Sequence, residues 1–535
     1  MANLWWQNML CYQIYPRSFN DTNSDGVGDI NGIIEKLDYL SWLGINAIWL
    51  SPVYQSPNDD YGYDIKNYYD VNEEYGRLAD LERLIEKAKE KNIKIIMDLV
   101  MNHTSDEHPW FIESKNPESP YRDYYIYQEG KNGRYPNNWT GFFSGTVWEK
   151  TDNGDYYLHL FSKKQPDLNF KNPKVIEEFK NIMAFWLEKG IAGFRCDVCN
   201  VFYKQSLENG KRSLVLTGLE HYHQTNKNHE ILQELKQSFI GQYDLFMVGE
   251  TVLVNTKEAT DLIKPEKKEL DLVFGFEHME TDQFNNKWFK KKFNPTKFFK
   301  VLTKWQEQVY WNANYFENHD QPRSVTRYGN LKYHYYSSTA LSTLLLSLKG
   351  TPFIFQGQEI GMTNYDFKTM ADFKDLESKR IYDIGRKLFI PKKYLFKMIK
   401  KTSRDNARTP MQWDDGFGFS THKPWLNENP NKNTINVKDQ MTAENSILKF
   451  YKEMIAYRKD NKVLLEGEFK MIKQRKGLYI FERELGQKKQ TVIINLTKHV
   501  KILKINTSSI RMNNYDSVLK DKVMPYQAII LGGSL

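Results

Sequence analysis

Three acidic residues that each follow a short apolar segment are the residues of this chain best suited to chemistry. Asp197 ends the segment GFRCD, Glu250 ends LFMVGE, and Asp320 lies in ENHDQ. Two carboxyl groups about 5–5.5 Å apart suit retaining glycoside hydrolysis, in which one attacks the anomeric carbon and the other protonates the leaving oxygen. The residue types therefore indicate a retaining glycosidase, provided that the fold brings the three acids together.

The surroundings of these acids suggest a role for each. Arg195 and Asp197 lie two residues apart in a predicted strand, so both side chains point to one face. A neighbouring guanidinium keeps a carboxylate ionised, which predicts Asp197 as the nucleophile, although a single Arg-x-Asp pair is more often a surface ion pair. Glu250 follows an apolar strand that favours a raised pKa, and we predict it as the acid/base. Asp320 and the flanking His319 are expected to hold sugar hydroxyls and to favour the distorted ring.

Apolar strands alternate with amphipathic helices along most of the chain. This rhythm predicts parallel βαβ units and an α/β fold, a (β/α)₈ TIM barrel, with the three acids at the carboxyl ends of strands four, five and seven. The expected strands are Cys11–Phe19, Ile45–Leu50, Ile93–Val100, Ile191–Phe194, Tyr243–Gly249, Leu270–Phe276, Asn312–Phe316 and Gly350–Gln356. The expected helices are Ile33–Leu43, Asp80–Lys91, Lys174–Glu188, Leu232–Gln242, Pro295–Gln308 and Ala443–Lys459.

Two stretches interrupt or follow this rhythm and predict further domains. Residues 105–167 are aromatic, punctuated by Pro and Gly, and too long for a structureless loop, so we predict an inserted domain B after strand three. Residues 1–104 and 168–463 then form the barrel, with a Lys-rich helical insertion at Thr363–Lys401. Residues 464–535 carry short β segments and predict a C-terminal all-β domain.

The loop that follows the first predicted strand has the composition of a cation site. Oxygen donors recur at every second position, and the D-x-N-x-D-G order is that of a calcium loop. An EF-hand is not expected, because Gly32 stands where the bidentate Glu belongs. The alternative is a solvated acidic turn. We predict one structural Ca²⁺ or Mg²⁺ held by Asp21, Asn23, Asp25, Val27 and Asp29.

Composition excludes several classes of function. The formal charge of +8 is spread over Lys-rich segments such as Lys287–Lys304 and Lys387–Lys401, and no compact basic tract with interleaved aromatics predicts a nucleic-acid partner. Three cysteines do not make a disulfide framework, and Cys196 with Cys199 lacks the second pair that zinc needs. With no signal-like start and no run of 18 apolar residues, we expect a cytoplasmic protein without a membrane partner, monomeric or weakly homo-oligomeric.

The chain resembles the α-amylase superfamily of glycoside hydrolases over essentially its whole length. The matching segments are DLVMNH at 98–103, GFRCDV at 193–198, VGE at 248–250 and ENHDQ at 317–321. Within the superfamily it looks most like the oligo-1,6-glucosidase and α-glucosidase branch, through QPDLNF at 165–170, SRDNARTP at 403–410 and the metal loop. In that branch, the segment that matches residues 165–170 usually ends in Trp, where this chain has Phe170.

The resemblance implies the same catalytic roles for Asp197, Glu250 and Asp320. Val198, directly after the nucleophile, is associated in this branch with α-1,6 rather than α-1,4 cleavage, which points to isomaltose-type substrates with α-1,4 bonds as a further class. Arg404 is the alternative to Arg408 as the arginine that the resemblance implies near the terminal glucose. The residues implied around the terminal glucose are Asp60, Tyr63, His103, Phe143, Phe161, Gln165, Arg195, His319 and Arg408.

Three alternative functions stay open from the sequence. Hydrolysis of trehalose 6-phosphate keeps the chemistry and needs a Lys or Arg near the pocket mouth. A transglycosylase or sucrose isomerase differs only in how the covalent intermediate is resolved. A non-catalytic barrel subunit is disfavoured by the presence of all three acids. The chain departs from the family pattern at Thr251 and at Thr217–Asn228. Both departures bear on the identity of the substrate and not on the reaction class. We expect domain B to close a short pocket suited to exo-cleavage.

Overall fold

A computed structural model describes residues 4–213, 215–284, 286–416 and 418–534. Eight parallel strands form one sheet, and we name them β1 to β8 in chain order. Residues 1–3 and 535 of the predicted end domains lie outside the described residues. The strands are β1 (Cys11–Ile14), β2 (Ala47–Leu50), β3 (Lys94–Val100), β4 (Gly193–Asp197), β5 (Phe246–Glu250), β6 (Leu272–Phe274), β7 (Ala313–Asn314) and β8 (Thr351–Phe355).

The sheet closes almost completely into a barrel. Its strand order is β6-β5-β4-β3-β2-β1-β8-β7, so only the step from β6 to β7 lacks ladder hydrogen bonds. There Tyr315 Oη donates to the main-chain oxygen of Gly275 at 2.9 Å, and the rings of Phe274 and Tyr315 pack edge to face. The predicted (β/α)₈ barrel is confirmed.

Several element boundaries differ from the sequence prediction for local reasons. β1 ends at Ile14 rather than Phe19, because Pro16 lacks an N–H for the ladder and opens a short 3₁₀ turn, Pro16–Ser18. The helix expected at Leu232–Gln242 is wrong: it spans Asn226–Gln237, and the Thr225 side chain caps it by accepting from the Asn228 N–H.

The remaining helices surround the barrel or lie over its carboxyl face. The helix expected at Ile33–Leu43 is two, Ile30–Glu35 and Leu37–Leu43. The predicted insertion is a pair of helices, Leu376–Lys387 and Lys392–Thr402. The others are Leu78–Glu90, Pro109–Ser114, Pro173–Glu188, Thr256–Leu262, Pro295–Gln308, Ser324–Tyr328, His334–Ser347, Asp405–Arg408, Val437–Thr442, Ile447–Lys459 and Lys462–Glu466.

The segment after β3 carries a small antiparallel sheet of its own, formed by Tyr127–Gln128, Tyr156–Leu158 and Trp148–Lys150. Its apolar core also includes Val198, Val201 and Tyr222 from the segment that follows β4. The sequence analysis assigned these three residues to the barrel alone. The residue directly after Asp197 therefore packs into the layer that covers the barrel.

The last segment forms an antiparallel sheet separate from the barrel. Arg483 is buried there and donates to the main-chain oxygens of Ser347 and Gly467, which ties the sheet to the barrel. Its strands are Glu468–Arg475, Leu478–Leu485, Lys488–Asn495, Ala528–Gly532 and Ile510–Asn513, with a two-stranded ribbon of Lys501–Ile502 and Lys522–Val523. Two further ribbons are Tyr54–Gln55 with Asn67–Val71 and Gln283–Phe284 with Asn286–Lys290.

Candidate active site

Arg195 is the centre of a cluster of carboxylates at the carboxyl ends of β3, β4 and β5. Its Nη1 lies 2.6 Å from Asp197 Oδ1 and 2.7 Å from Asp98 Oδ1, and its Nη2 lies 2.5 Å from Glu250 Oε2. These three strands are neighbours in the barrel, so their last residues reach one layer. Two of the three predicted catalytic acids thus face a single guanidinium.

The charge balance of this cluster differs from the sequence prediction. We expected Arg195 to pair with Asp197 and Glu250 to follow an apolar strand that favours a raised pKa, but Arg195 contacts both carboxylates. Burial raises the pKa of Asp197, Arg195 opposes that rise, and Glu250 and Asp98 add to it. Retaining hydrolysis requires one anionic and one protonated carboxyl, and two acids that face one guanidinium supply the two groups.

Asp320 lies in a different electrostatic setting. Arg408 Nη2 is 2.7 Å and Arg404 Nη1 is 3.5 Å from its Oδ1, and His319 Nε2 is 3.2 Å from its Oδ2. Burial alone would raise the pKa of Asp320, but His319 and the two arginines outweigh it and hold that pKa well below the usual range. Arg404 and Arg408 are therefore not alternatives, as the sequence analysis had them, because both contact the same carboxylate.

His319 is fixed by partners from two distant parts of the chain. Gln13 Nε2 lies 2.7 Å from its Nδ1 and Tyr63 Oη lies 2.8 Å from its Nε2. Tyr63 stacks on the imidazole, with ring centroids 5.3 Å apart, and also donates to Asp98. Gln13 and Asp98 were missed as site residues. The available signal was a polar residue among the buried residues of an apolar strand, at Gln13 in β1 and Asp98 in β3.

The opposite wall joins His103 to the domain B residues. Gln165 Nε2 lies 3.1 Å from His103 Nε2 and 3.3 Å from Asp60 Oδ2, and Arg404 reaches the other oxygen of Asp60 at 3.2 Å. Burial lowers the pKa of His103 to about 4, so the ring is neutral near neutral pH. The Phe161 ring packs 5.1 Å from His103.

Phe143 and Val198 complete the predicted set. The Phe143 ring lies 5.7 Å from the Arg404 guanidinium and 5.7 Å from Phe161. Val198 has φ of 34°, which a β-branched residue rarely adopts, and its N–H lies 3.5 Å from Glu250 Oε2. The structure thus brings every predicted catalytic and substrate-binding residue into one connected network.

Comparison with known proteins agrees with this geometry. The sequence model described as "Alpha amylase, catalytic domain" matches residues 13–467. The chain belongs to the α-amylase family. It is 44% identical to the oligo-1,6-glucosidase of Parageobacillus thermoglucosidasius, over 96% of both chains.

Solved structures in this α-amylase family superpose over nearly the whole chain. The trehalose-6-phosphate hydrolase of Bacillus licheniformis has a TM-score of 0.93 at 39% identity, over 99% of both chains. The isomaltulose synthase of Erwinia rhapontici NX5 has a TM-score of 0.96 at 37% identity, also over 99% of both chains. The predicted family is confirmed, as is its glycoside hydrolase chemistry.

A buried lysine behind the site was not anticipated. Lys204 Nζ lies 2.6 Å from Asp167 Oδ2, 2.7 Å from Asn102 Oδ1 and 3.1 Å from the Phe202 oxygen. Burial lowers the pKa of Lys204, and Asp167 opposes that change. Asn102 Nδ2 in turn lies 3.2 Å from His103 Nδ1, so this ammonium supports the wall of the α-amylase-family pocket. Nothing in the local sequence distinguishes Lys204 from a surface lysine.

The predicted metal loop is a chain of side-chain-capped turns. Asp21 accepts from the N–H groups of Asn23, Ser24 and Gly26, and Asp25 accepts from that of Val27. Carboxylate, amide and main-chain oxygens of this kind suit Ca²⁺ or Mg²⁺.

Asp29 differs from the other predicted ligands of the loop. Its carboxylate accepts from Thr22 and caps the helix Ile30–Glu35 through the Gly32 N–H. In the described part of the chain, no group of three or more His, Cys, Asp or Glu side chains is arranged to hold a metal. The cation site expected in this loop therefore stays a prediction.

Helices long and apolar enough to cross a bilayer are absent from the described residues.

Proposed function

We propose that the chain is a retaining, exo-acting α-glucosidase that hydrolyses terminal α-1,6 bonds of short oligosaccharides such as isomaltose, with α-1,4 bonds as a secondary class. The observation that carries the proposal is the cluster in which Arg195 holds Asp197 and Glu250 while Asp320 lies opposite on two arginines. A relative 44% identical over nearly the full length is named an oligo-1,6-glucosidase, which supports the linkage.

Each residue then has a distinct task. Asp197 attacks the anomeric carbon, and Glu250 transfers its proton to the leaving oxygen and later takes a proton from water. When Glu250 gives up its proton, the Arg195 guanidinium balances the negative charge that forms on its carboxylate. Asp320, kept anionic, accepts hydrogen bonds from ring hydroxyls and opposes the positive charge of the oxocarbenium-like transition state.

The first prediction concerns linkage. We expect kcat/KM for isomaltose to exceed that for maltose by about 10- to 200-fold, because the rim contacts that distinguish two glucose disaccharides are worth only about 1–3 kcal/mol. Steady-state rates on isomaltose, maltose, sucrose and trehalose 6-phosphate, measured side by side, check this. A preference for maltose would contradict the proposed linkage. Release of internal fragments from a long, end-blocked glucan would contradict exo-cleavage.

A second candidate, hydrolysis of trehalose 6-phosphate, has one specific observation in its favour. Arg380 Nη2 donates to the Ser144 oxygen, next to Phe143 on the pocket wall, in a half-buried setting. Among the described residues, no carboxylate lies within ion-pair distance of this guanidinium. An unpaired arginine at the rim could bind a phosphate through two parallel hydrogen bonds.

The second prediction tests this candidate. If Arg380 binds a phosphate, Arg380→Gln should lower kcat/KM for trehalose 6-phosphate by about 10- to 100-fold, the loss of a charge-assisted pair worth about 1.5–3 kcal/mol. The rate on isomaltose should change less than about threefold. Arg386→Gln, at an exposed position one and a half turns further along the helix, is the matched control. Equal losses on both substrates would show that Arg380 only shapes the rim.

We further propose that the loop of Asp21, Asn23, Asp25, Val27 and Asp29 binds a structural Ca²⁺ or Mg²⁺. The third prediction is that chelation lowers the thermal unfolding midpoint and that Asp21→Asn reduces this effect. A bound ion at 100 times its dissociation constant stabilises the folded state by about 2.7 kcal/mol. Asp152→Asn, at an exposed acid in domain B, is the control. An unchanged midpoint after chelation, with no metal found by elemental analysis, would leave the acidic turn as the correct description.

A further inference from the structure

The Lys-rich insertion forms a helical hairpin, which we define as residues 376–402 and whose role the proposed catalysis does not explain. Its two helices, Leu376–Lys387 and Lys392–Thr402, meet at a turn formed by residues 388–391. The hairpin contains nine Lys and Arg residues against two acidic residues, a net charge of +7. Most of the net charge of the whole chain is therefore concentrated in 27 residues.

These positive charges are largely unpaired. In the described part of the chain, no carboxylate lies within 4.0 Å of the charged groups of seven exposed residues. Ion pairs of this hairpin are confined to residues near its base, such as Glu377 with Lys287 and Lys400 with Asp366. The exposed, unpaired residues are Lys379, Arg386, Lys387, Lys392, Lys393, Lys397 and Lys401. This surface is complementary to an anionic partner.

The turn and the start of the second helix expose apolar side chains among these lysines and arginines. Leu388 is 67%, Phe389 91% and Tyr394 68% exposed. The opposite face of the hairpin is buried through Leu395 and Ile399. The exposed apolar residues thus do not serve the hairpin's own packing.

Local backbone geometry gives no reason for an aromatic residue at position 389. Phe389 has φ of 59°, the left-handed conformation that ends a helix and favours Gly or Asn. The Ile390 N–H donates to the Gly385 oxygen at 2.9 Å and closes the helix, so the turn is complete without the Phe389 ring. A large ring at a position suited to glycine, fully exposed and flanked by lysines, indicates contact with something outside the chain.

We propose that the hairpin tip, formed by Leu388, Phe389 and Tyr394 with the surrounding lysines, docks on an anionic lipid surface. Apolar side chains that enter the headgroup region, together with lysines that face acidic headgroups, are the two components of reversible interfacial binding. A soluble polyanion would engage the lysines but would leave Leu388 and Phe389 exposed to water. Asp375, directly before the hairpin, contacts Arg404, and the first helix then extends about 18 Å towards the tip.

Sedimentation of the full-length protein with vesicles tests the proposal. We expect binding to phosphatidylcholine vesicles that contain phosphatidylglycerol, weak binding to pure phosphatidylcholine, and release at high salt. Lys392→Gln/Lys393→Gln should weaken binding about 25-fold, from about fivefold per lysine near an anionic surface. Leu388→Ser/Phe389→Gly should weaken it by at least tenfold.

Two control variants carry changes of the same kind in the C-terminal domain. Ile502→Ser removes an exposed apolar residue of the C-terminal domain, and Lys520→Gln/Lys522→Gln removes two exposed lysines there. Both are expected to bind as the unchanged protein does. The rate on isomaltose should be unaltered in all four variants, because none of the changed residues belongs to the predicted pocket. The thermal midpoint of Leu388→Ser/Phe389→Gly should not fall, because glycine favours the left-handed turn.

Two results would overturn the proposal. One is the absence of binding to vesicles that contain phosphatidylglycerol. The other is binding that soluble polyphosphate competes away fully and that Leu388→Ser/Phe389→Gly leaves unchanged, which would define a general polyanion site instead.

Discussion

Glu250→Gln and Asp197→Asn are expected to abolish hydrolysis of isomaltose in two distinguishable ways. Without its nucleophile, Asp197→Asn should lose at least about 10⁴-fold in kcat on every substrate. Glu250→Gln should lose about 10²- to 10⁴-fold on isomaltose, whose sugar leaving group needs a proton, but far less in the first turnover of p-nitrophenyl α-glucoside, whose leaving group departs unprotonated. Pre-steady-state release of p-nitrophenol from both variants measures the difference.

The pH dependence of the Asp197 carboxylate gives a second readout of the same prediction. Asp197 has its pKa raised by burial and by its carboxylate neighbours, against the effect of Arg195. Glu250 contributes to that rise in the pKa of Asp197, so the acid limb of the glycosylation rate should move to lower pH in Glu250→Gln. Asp152→Asn, at an exposed acid of domain B, controls for a general charge effect. Equal losses by both variants on both substrates, with unshifted acid limbs, would contradict the assigned roles.

Local patterns in the sequence were sufficient for the barrel and for the three acids. Period-2 alternation placed Arg195 and Asp197 on one face, and the structure joins them at 2.6 Å. The acids at the ends of β4 and β5 and in the segment after β7 were predictable, because parallel strands present their carboxyl ends to one rim.

The sequence analysis treated Arg404 and Arg408 as alternatives, although their spacing in the sequence was informative. Arg404 and Arg408 lie four residues apart, beside and within the helix Asp405–Arg408, and such residues share a helix face. Both arginines could have been predicted to contact Asp320, rather than one or the other.

The remaining site features depend on contacts between distant parts of the chain. The contact of Gln13 with His319 joins β1 to the segment after β7, across 306 positions. The sharing of Arg195 between Asp197 and Glu250 likewise depends on the register of β4 against β5. Composition and periodicity do not carry that information, so the contact of Arg195 with Glu250 was not predicted from the sequence.

Lys204→Met is expected to be among the most destabilising single substitutions in the chain. Methionine keeps the volume of the side chain but leaves the Asp167 carboxylate buried without its counter-charge, and breaking a buried pair in this way costs about 3–5 kcal/mol. The exposed pair of Lys66 and Glu107 is the matched comparison, and Lys66→Met should cost less than about 1 kcal/mol. Thermal unfolding midpoints of the two variants measure the contrast.

A double substitution separates charge from packing at this position. If the uncompensated carboxylate is the cause, Asp167→Asn added to Lys204→Met should recover part of the lost stability, whereas Asp167→Asn alone should destabilise. The same substitution should affect the active site. Asn102 contacts His103 and would lose the hydrogen bond that the Lys204 ammonium donates to it. We therefore expect KM for isomaltose to rise in Lys204→Met more than kcat falls. If Lys204→Met shifts the midpoint no further than Lys66→Met does, this buried ammonium does not secure the wall of the pocket, and the support of His103 must come from Gln165 and the Tyr63 main chain instead.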